Sequence, residues 1–357
     1  MSNTALKNTR NTNIELLRVI SMLMIVTLHY MYQGGVLHTL QFTDANFALS
    51  WLIESFCYVS VNCYVLISGY FLCKSSFKLR KVIDIIIEVV FYSVGIYLLF
   101  CVLGVETFSV TTLITGYLFP IIHGEYWFAT VYVVLYLLSP YLNKWLQALD
   151  KKEHQKLIAL MALVFSIIPS VFFFAGENLG VSSGYSLIWF IFIYIVSAYI
   201  RLYGIKIKNI YLLLIFVISC LVTFGMKYCQ LALLGNELWD LYRYSSITVL
   251  PGSVALFMLF VNMKPKSHKV WLFFGKTTFG VFLIHTQYIM RDKILWKQLI
   301  KPLDYCYSNT GVFLLHMIIS VLLIYVVCSL IDYLRILLFG FVEKAYLRLN
   351  KKRKIEG

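Results

Sequence analysis

Apolar residues in this chain neither alternate nor keep to one helical stripe; they come in runs of about twenty, broken by short polar stretches. A helix needs about 20 such residues to cross the hydrocarbon core of a bilayer. Ten segments qualify, at approximately 14–33, 51–72, 82–104, 126–146, 157–175, 185–203, 210–228, 247–262, 271–290 and 311–339. The pattern predicts an all-α integral membrane protein of about ten transmembrane helices. The eighth segment is short and carries Pro251-Gly252, so a kink there, or an extension back into Tyr244-Ser245-Ser246, is expected. Linkers are short, and no heptad, low-complexity tract or internal duplication interrupts them. One membrane domain over 14–340 is expected, flanked by an N-terminal segment, 1–13, and a basic tail, 341–357.

Composition agrees. The chain is 60% hydrophobic and 13% charged, against about 25% charged for soluble proteins. Its mean hydropathy is +0.79. The net charge of +14 suggests nucleic acid until its location is considered. The cations lie in short loops between apolar runs, which is positive-inside topology, and no nucleic-acid partner is expected. With the N-terminus inside, the inner segments hold 22 of the 31 Lys and Arg: Lys7 and Arg10, then Lys74 to Lys81, Lys144 to Lys156, Arg201 to Lys208, Lys264 to Lys269, and the tail from Lys344. Both termini are therefore expected in the cytoplasm and the protein in the cytoplasmic membrane. Only the last outer loop, with Arg291, Lys293, Lys297 and Lys301, breaks the rule. Thirteen mostly polar residues precede the first span, and no signal-peptide cleavage pattern follows. Cys57, Cys63, Cys101, Cys220 and Cys328 fall in apolar runs, where cysteine acts as a small hydrophobe. Nothing has zinc-ligand spacing, so neither a metal site nor a disulfide framework is expected.

The chemistry concentrates in the first span, where Arg18 and His29 are eleven residues apart. Eleven steps turn a helix by about 1100°, three turns and a little more, so both side chains share a face about 16 Å apart along the axis. Ionisable groups inside a membrane face a cavity or a substrate path. Alone, Arg18 reads as a snorkelling anchor and His29 as an interhelical hydrogen-bonder; on one face they read better together. A permanent guanidinium suits phosphate, and a neutral imidazole can take a hydroxyl proton. Glu15, three residues before Arg18, can pair with it. Glu54, in the outer part of the second span, lies at a level compatible with His29 and is a candidate to orient the imidazole. Asp84 pairs on spacing with Arg80 or Lys81, whereas Glu88 sits deeper. His123 and Glu125 precede Tyr126-Trp127, an aromatic platform with carboxylates suited to sugar rings. Ser68-Gly69 reads as a close-packing pair, lacking the G-x-S-x-G elbow of a nucleophile. His316 reads as structural.

The first-span Arg-x10-His resembles that of the membrane-bound acyltransferase-3 family, bacterial enzymes that acylate surface carbohydrates. Val61-Asn62-Cys63-Tyr64-Val65-Leu66-Ile67-Ser68-Gly69-Tyr70 resembles the family's V-D-x-F-F-x-x-S-G-[FY] signature, and Thr278-Phe279-Gly280-Val281-Phe282-Leu283-Ile284-His285 its T-[FY]-G-[VI]-Y-L-x-H segment. Glu125-Tyr126-Trp127-Phe128 resembles its W-[FY]-[LF] region. The likeness spans roughly 13–340. Asn62 replaces the signature's acidic residue, which excludes a role needing charge there.

The resemblance implies transfer of an acyl group, acetyl in the first instance, from cytoplasmic acyl-CoA (acetyl-CoA) to a hydroxyl of a capsular or other surface polysaccharide, free or lipid-linked. It implies CoA phosphates on Arg18, with Lys78, Arg80 and Lys81 assisting, and His29 as general base or covalent acyl carrier. It implies an acceptor near Glu125, Trp127 and His123, and gives His285 and Ser68 a possible part. The alternative is an envelope-glycan transporter or flippase, whose usual mark, paired repeats with broken helices, is not seen in the sequence.

Overall fold

The computed structural model describes residues 12–356 except 173 and 265–267, with side chains as far as residue 348. The N-terminal charges Lys7 and Arg10, the loop lysine Lys266 and the end of the basic tail lie outside the described side chains.

Among the described residues there is no strand; the fold is a helical bundle. Each of the ten apolar segments forms helix: α1 (Thr12–Tyr32), a pair α2 (Phe47–Cys57) and α3 (Ser60–Leu72), α4 (Leu79–Val102), α5 (Trp127–Ala148), α6 (Lys151–Ala162), α7 (Leu187–Tyr203), α8 (Asn209–Leu234), α9 (Val249–Asn262), α10 (Lys269–Thr286) and α11 (Thr310–Glu356). Six stretches are long and apolar enough to cross a membrane: Thr12–Thr39, Phe47–Leu72, Leu79–Val102, Lys151–Val171, Asn209–Leu234 and Thr310–Arg348. Leu187–Tyr203 and Val249–Asn262 are apolar but shorter. The protein is thus a multi-pass membrane protein.

Local chemistry sets several ends. Asp150 accepts from the Glu153 N–H at 2.8 Å while Glu153 accepts from the Asp150 N–H at 2.9 Å, a capping box that starts α6. Two sequence expectations change. Pro251 neither kinks α9 nor lets it reach back to Tyr244. The helix begins at Val249, so the proline falls in the first turn, where its missing N–H has no helical partner to lose. The second span, read as one helix, is interrupted at Tyr58-Val59. Neither residue is a helix breaker, and both keep right-handed helical dihedrals (φ −63°, ψ −20° and φ −70°, ψ −15°), so the run Phe47–Leu72 keeps one course.

At the centre, α1 packs against α2, α3, α9, α10 and α11, and α7 closes over α3 on the far side. Small residues permit the closest approaches. A Cβ on Gly275 would lie 2.3 Å from Glu15 Oε2, and one on Gly280 would lie 2.1 Å from Asp332 Cγ, so α10 is pressed between α1 and α11. Beside that second contact, Arg335 pairs with Asp332 (2.7 Å) and Glu88 (3.0 Å), and the Tyr92 hydroxyl donates to Asp332 at 2.7 Å. This is the partner of Glu88 that spacing alone did not reveal.

Loop contacts fall into two groups. Asn13 donates to the carbonyls of Met263 and Lys264, Asn143 to that of Leu72, and the Tyr203 hydroxyl to that of Leu149, at one end. At the other, Asn46 donates to the carbonyls of Cys306 and Ser308, the Tyr242 hydroxyl to that of Trp51, and Ser166 to that of Ser245. Arg18 lies toward the first end of α1 and His29 toward the second.

Candidate active site

A cavity of about 1020 Å³ runs inside the bundle, and Arg18 and His29 both line it. On α1 its wall includes the stripe Arg18, Met22, Ile25 and His29, spaced four, three and four residues apart, one face of a helix, with Gln33 in the turn just past the helix end. Gly275, Thr278 and Phe282 of α10 form the facing stripe, and the next position on it is His285.

At the Arg18 end, the guanidinium holds Glu15 at 2.6 Å, the pairing expected from spacing. Arg18 keeps 22% of its side chain exposed while Glu15 keeps 2%, so the cation presents its free edge to the cavity. The Tyr64 hydroxyl donates to the Arg18 carbonyl at 2.7 Å and fixes α3 to this turn. Lys276 lines the same end, exposed. Lys276 follows Gly275 directly, one step round α10 from the stripe Gly275, Thr278, Phe282.

Midway, His29 Nδ1 lies 2.8 Å from His285 Nε2, with ring centroids 5.0 Å apart. His285 is buried, and its Nδ1 lies 2.6 Å from the Val281 carbonyl. A carbonyl only accepts, so His285 carries its proton on Nδ1 and, neutral, offers the Nε2 lone pair. His29 must then donate through Nδ1–H. Its own Nε2 is left with a lone pair, on a side chain that lines the cavity. A two-imidazole relay thus selects the tautomer a general base needs.

This corrects the expectation for Glu54. It is 3% exposed and lines the cavity, but it does not orient His29, because α10 lies against α1 and His285 already occupies Nδ1. Its Oε2 has no hydrogen-bond partner. Ser68 lines the cavity with its hydroxyl given back to the Tyr64 carbonyl at 2.9 Å, and no base adjoins it. Gly69 is the close-packing member of that pair, pressed on Tyr194 and Ser197.

Of the expected acceptor residues only Trp127 lines the cavity. Glu125 turns the other way, accepting from the Ser93 hydroxyl at 2.9 Å and the Tyr288 N–H at 3.5 Å, and burial raises its carboxyl above the usual range. His123 is exposed outside the cavity. The expected donor cations Lys78, Arg80 and Lys81 do not line it either: Lys78 immediately precedes α4 and makes no side-chain cap bond, and Arg80 pairs with Glu343 and, at 4.0 Å, with Asp84. Their helix reaches the cavity only at Ile85, a turn further on. His316 meets the Tyr30 hydroxyl at 2.8 Å and stacks on Tyr305, a packing role.

A tautomer-locked imidazole and a guanidinium in one intramembrane cavity suit transfer of a group from a phosphate-bearing donor to a hydroxyl. The sequence model of the acyltransferase domain family, acyltransferase-3, matches residues 11–338. This chain belongs to the acyltransferase-3 family. No curated protein and no solved structure matches it. Within this acyltransferase domain, Asn62 explains its own departure from the family signature. The Trp189 indole donates to its Oδ1 at 2.9 Å, and its Nδ2 donates to the Tyr244 carbonyl at 2.8 Å. An aspartate could accept the first bond but not make the second. Asn62 is a buried cross-link of α3, α7 and the loop before α9, outside the cavity.

Proposed function

We propose that the protein is an O-acyltransferase of the cytoplasmic membrane that moves an acyl group, acetyl in the first instance, from cytoplasmic acyl-CoA to a hydroxyl of a capsular or other cell-surface polysaccharide. In this reading all ten segments cross the membrane with both termini inside, and the Arg18 end faces the cytoplasm. The observation that carries it is the His29–His285 relay opening on a cavity that also holds Arg18. Arg18, with Lys276 beside it, binds the donor's phosphates; a cation pair at a cavity mouth suits a polyanion, and a guanidinium grips phosphate oxygens in bidentate fashion. About 16 Å of helix separates Arg18 from His29, a stretch for the extended pantetheine arm to carry its thioester along. His29 Nε2 takes the proton of the acceptor hydroxyl as its oxygen attacks the thioester carbonyl. The C–O bond forms, the C–S bond breaks, and the proton passes from His29 to the departing CoA thiolate. His29 ends each cycle neutral, with its Nδ1–H still on His285.

The family match favours this reading over the glycan-transporter alternative. The test is acetyl transfer from acetyl-CoA to de-esterified surface polysaccharide by protein purified into lipid nanodiscs. His29→Ala is expected to lower transfer about 10²-fold or more. Full transfer by that variant removes the base assignment. Acetyl NMR signals in surface polysaccharide that appear only in cells carrying the gene would support both reaction and acceptor class.

A further inference from the structure

The last outer loop, the one that breaks the loop-charge rule, holds two cations that the cavity does not use. Met290–Ile300 is a π-helix whose inner side, Leu295 and Trp296, is buried, with Trp296 edge-on to Tyr30. The chain then turns through Pro302 and Cys306, also buried. Of the four cations, Arg291 pairs with Asp292 and Lys293 with Glu106. Lys297 and Lys301 are exposed and, among the described residues, have no ion pair. Lys301 stands just past the π-helix at φ 51° and ψ 61°, its N–H donating to the Trp296 carbonyl at 3.1 Å. Glycine takes that left-handed place freely; a lysine there is strained, and such strain collects at binding positions.

Apolar side chains point outward around these cations. Leu299 is 65% exposed, and Leu303 and Tyr307 are exposed two and six residues after Lys301. Three residues past Tyr307, α11 begins, and its Val312, Leu315 and Ile319 are exposed on a span. Tyr307 therefore stands at the level where aromatic and basic residues meet lipid headgroups. Exposed leucines beside unpaired lysines at that level form an interfacial surface, apolar toward acyl chains and cationic toward phosphate.

We propose that Lys297 and Lys301, with Leu299 and Leu303, bind an anionic phospholipid of the outer leaflet, its phosphate on the two ammonium groups and its chains along the leucines and the start of α11. A zwitterionic headgroup fits less well, because its own ammonium meets the second lysine. The surface adjoins the rim of the cavity. A Cβ on Gly34 would lie 2.7 Å from Pro302 Cγ and one on Gly35 3.3 Å from Leu303, while the Tyr307 hydroxyl donates to the Thr39 carbonyl at 3.2 Å. Tyr32, Gln33 and Leu37, on either side of those glycines, line the cavity. The lipid thus rests against the turn that forms the lip at the His29 end. From the acyl-transfer reading this takes only the side on which the loop lies.

The test uses full-length protein with its native cysteines replaced and a bimane fluorophore on Leu299→Cys, in phosphatidylcholine nanodiscs. Brominated phosphatidylglycerol or brominated phosphatidylcholine is added at matched mole fractions. Half-maximal quenching is expected at an about fivefold lower fraction of the anionic lipid, the weight of one near-surface lysine. Lys297→Gln with Lys301→Gln is expected to bring the two curves together, whereas Lys206→Gln with Lys208→Gln, an equal loss of charge on another loop, leaves them apart. Lys301→Gly removes one cation and relieves the left-handed backbone, so it reports a smaller shift even where the double variant folds poorly. Equal quenching by the two lipids in the parent protein overturns the proposal, as does a preference that survives loss of both lysines. A fluorophore that answers an added polyprenyl-diphosphate saccharide but not phosphatidylglycerol makes this a substrate surface and also overturns it. Acetyl transfer does not enter the readout, so failure of the acyl-transfer reading leaves the result standing.

Discussion

In the proposed mechanism His29 works through the nitrogen that His285 leaves open. His285→Ala frees both tautomers and lets the ring turn, so transfer is expected to fall about tenfold or more with the KM for acetyl-CoA unchanged, because nothing at the Arg18 end moves. His285→Gln, which offers an amide oxygen to the same Nδ1–H, is expected to recover part of the loss. A steady-state comparison of kcat and KM across the three proteins checks both statements. Arg18→Lys keeps the charge and loses the fork, so it is expected to raise the KM for acetyl-CoA severalfold with kcat little changed. At this scale the sequence was legible where the chemistry was local. The shared face of Arg18 and His29 and the Glu15 pairing follow from helical repeat alone. The histidine partner did not follow from repeat, because it is 256 residues away and an imidazole carries no mark of which side will be bonded. Glu54 was assigned to His29 on depth, and depth does not distinguish a neighbour from a facing wall.

Among elements, α10 carries most of the constraint. One face holds Gly275 against Glu15 and His285 against His29; the other holds Gly280 against Asp332. A methyl at Gly280 must displace the Asp332 carboxylate from Arg335 and Tyr92, so Gly280→Ala is expected to cost about 1–3 kcal/mol, read as a lower Tm in detergent. Gly275→Ala meets Glu15 instead, and through it the guanidinium of Arg18. Its signature is a raised KM for acetyl-CoA along with the lower Tm. The spacing of Gly275, Thr278, Phe282 and His285 was present in the sequence as a helical stripe, but a stripe says only that a face is special, not which neighbour it meets. The two-residue turn at Tyr58-Val59 was invisible for another reason: no proline or glycine marks it, and both residues keep helical dihedrals.

For the whole molecule, helical class and helix position were the most legible features, since each apolar segment is helical where the pattern put it. Sidedness rests on the loop cations, and the hydrogen bonds that gather loops at two ends respect the same alternation. With all native cysteines replaced, Ser75→Cys and Asp304→Cys, both exposed, should react oppositely with a membrane-impermeant maleimide. Asp304→Cys is expected to label in intact cells and Ser75→Cys only after permeabilisation; the reverse pattern would invert the orientation and with it the side from which the donor enters.

The pairing of an early and a late helix also has a consequence for how the protein is made. Ribosomes deliver His29 to the membrane long before His285 has been translated, and α1 must wait for α10 to arrive before its imidazole is committed to one protonation pattern. A nascent or prematurely ended chain therefore holds Arg18 beside an imidazole whose tautomer is still open, and the paired histidines are among the last features that biosynthesis completes.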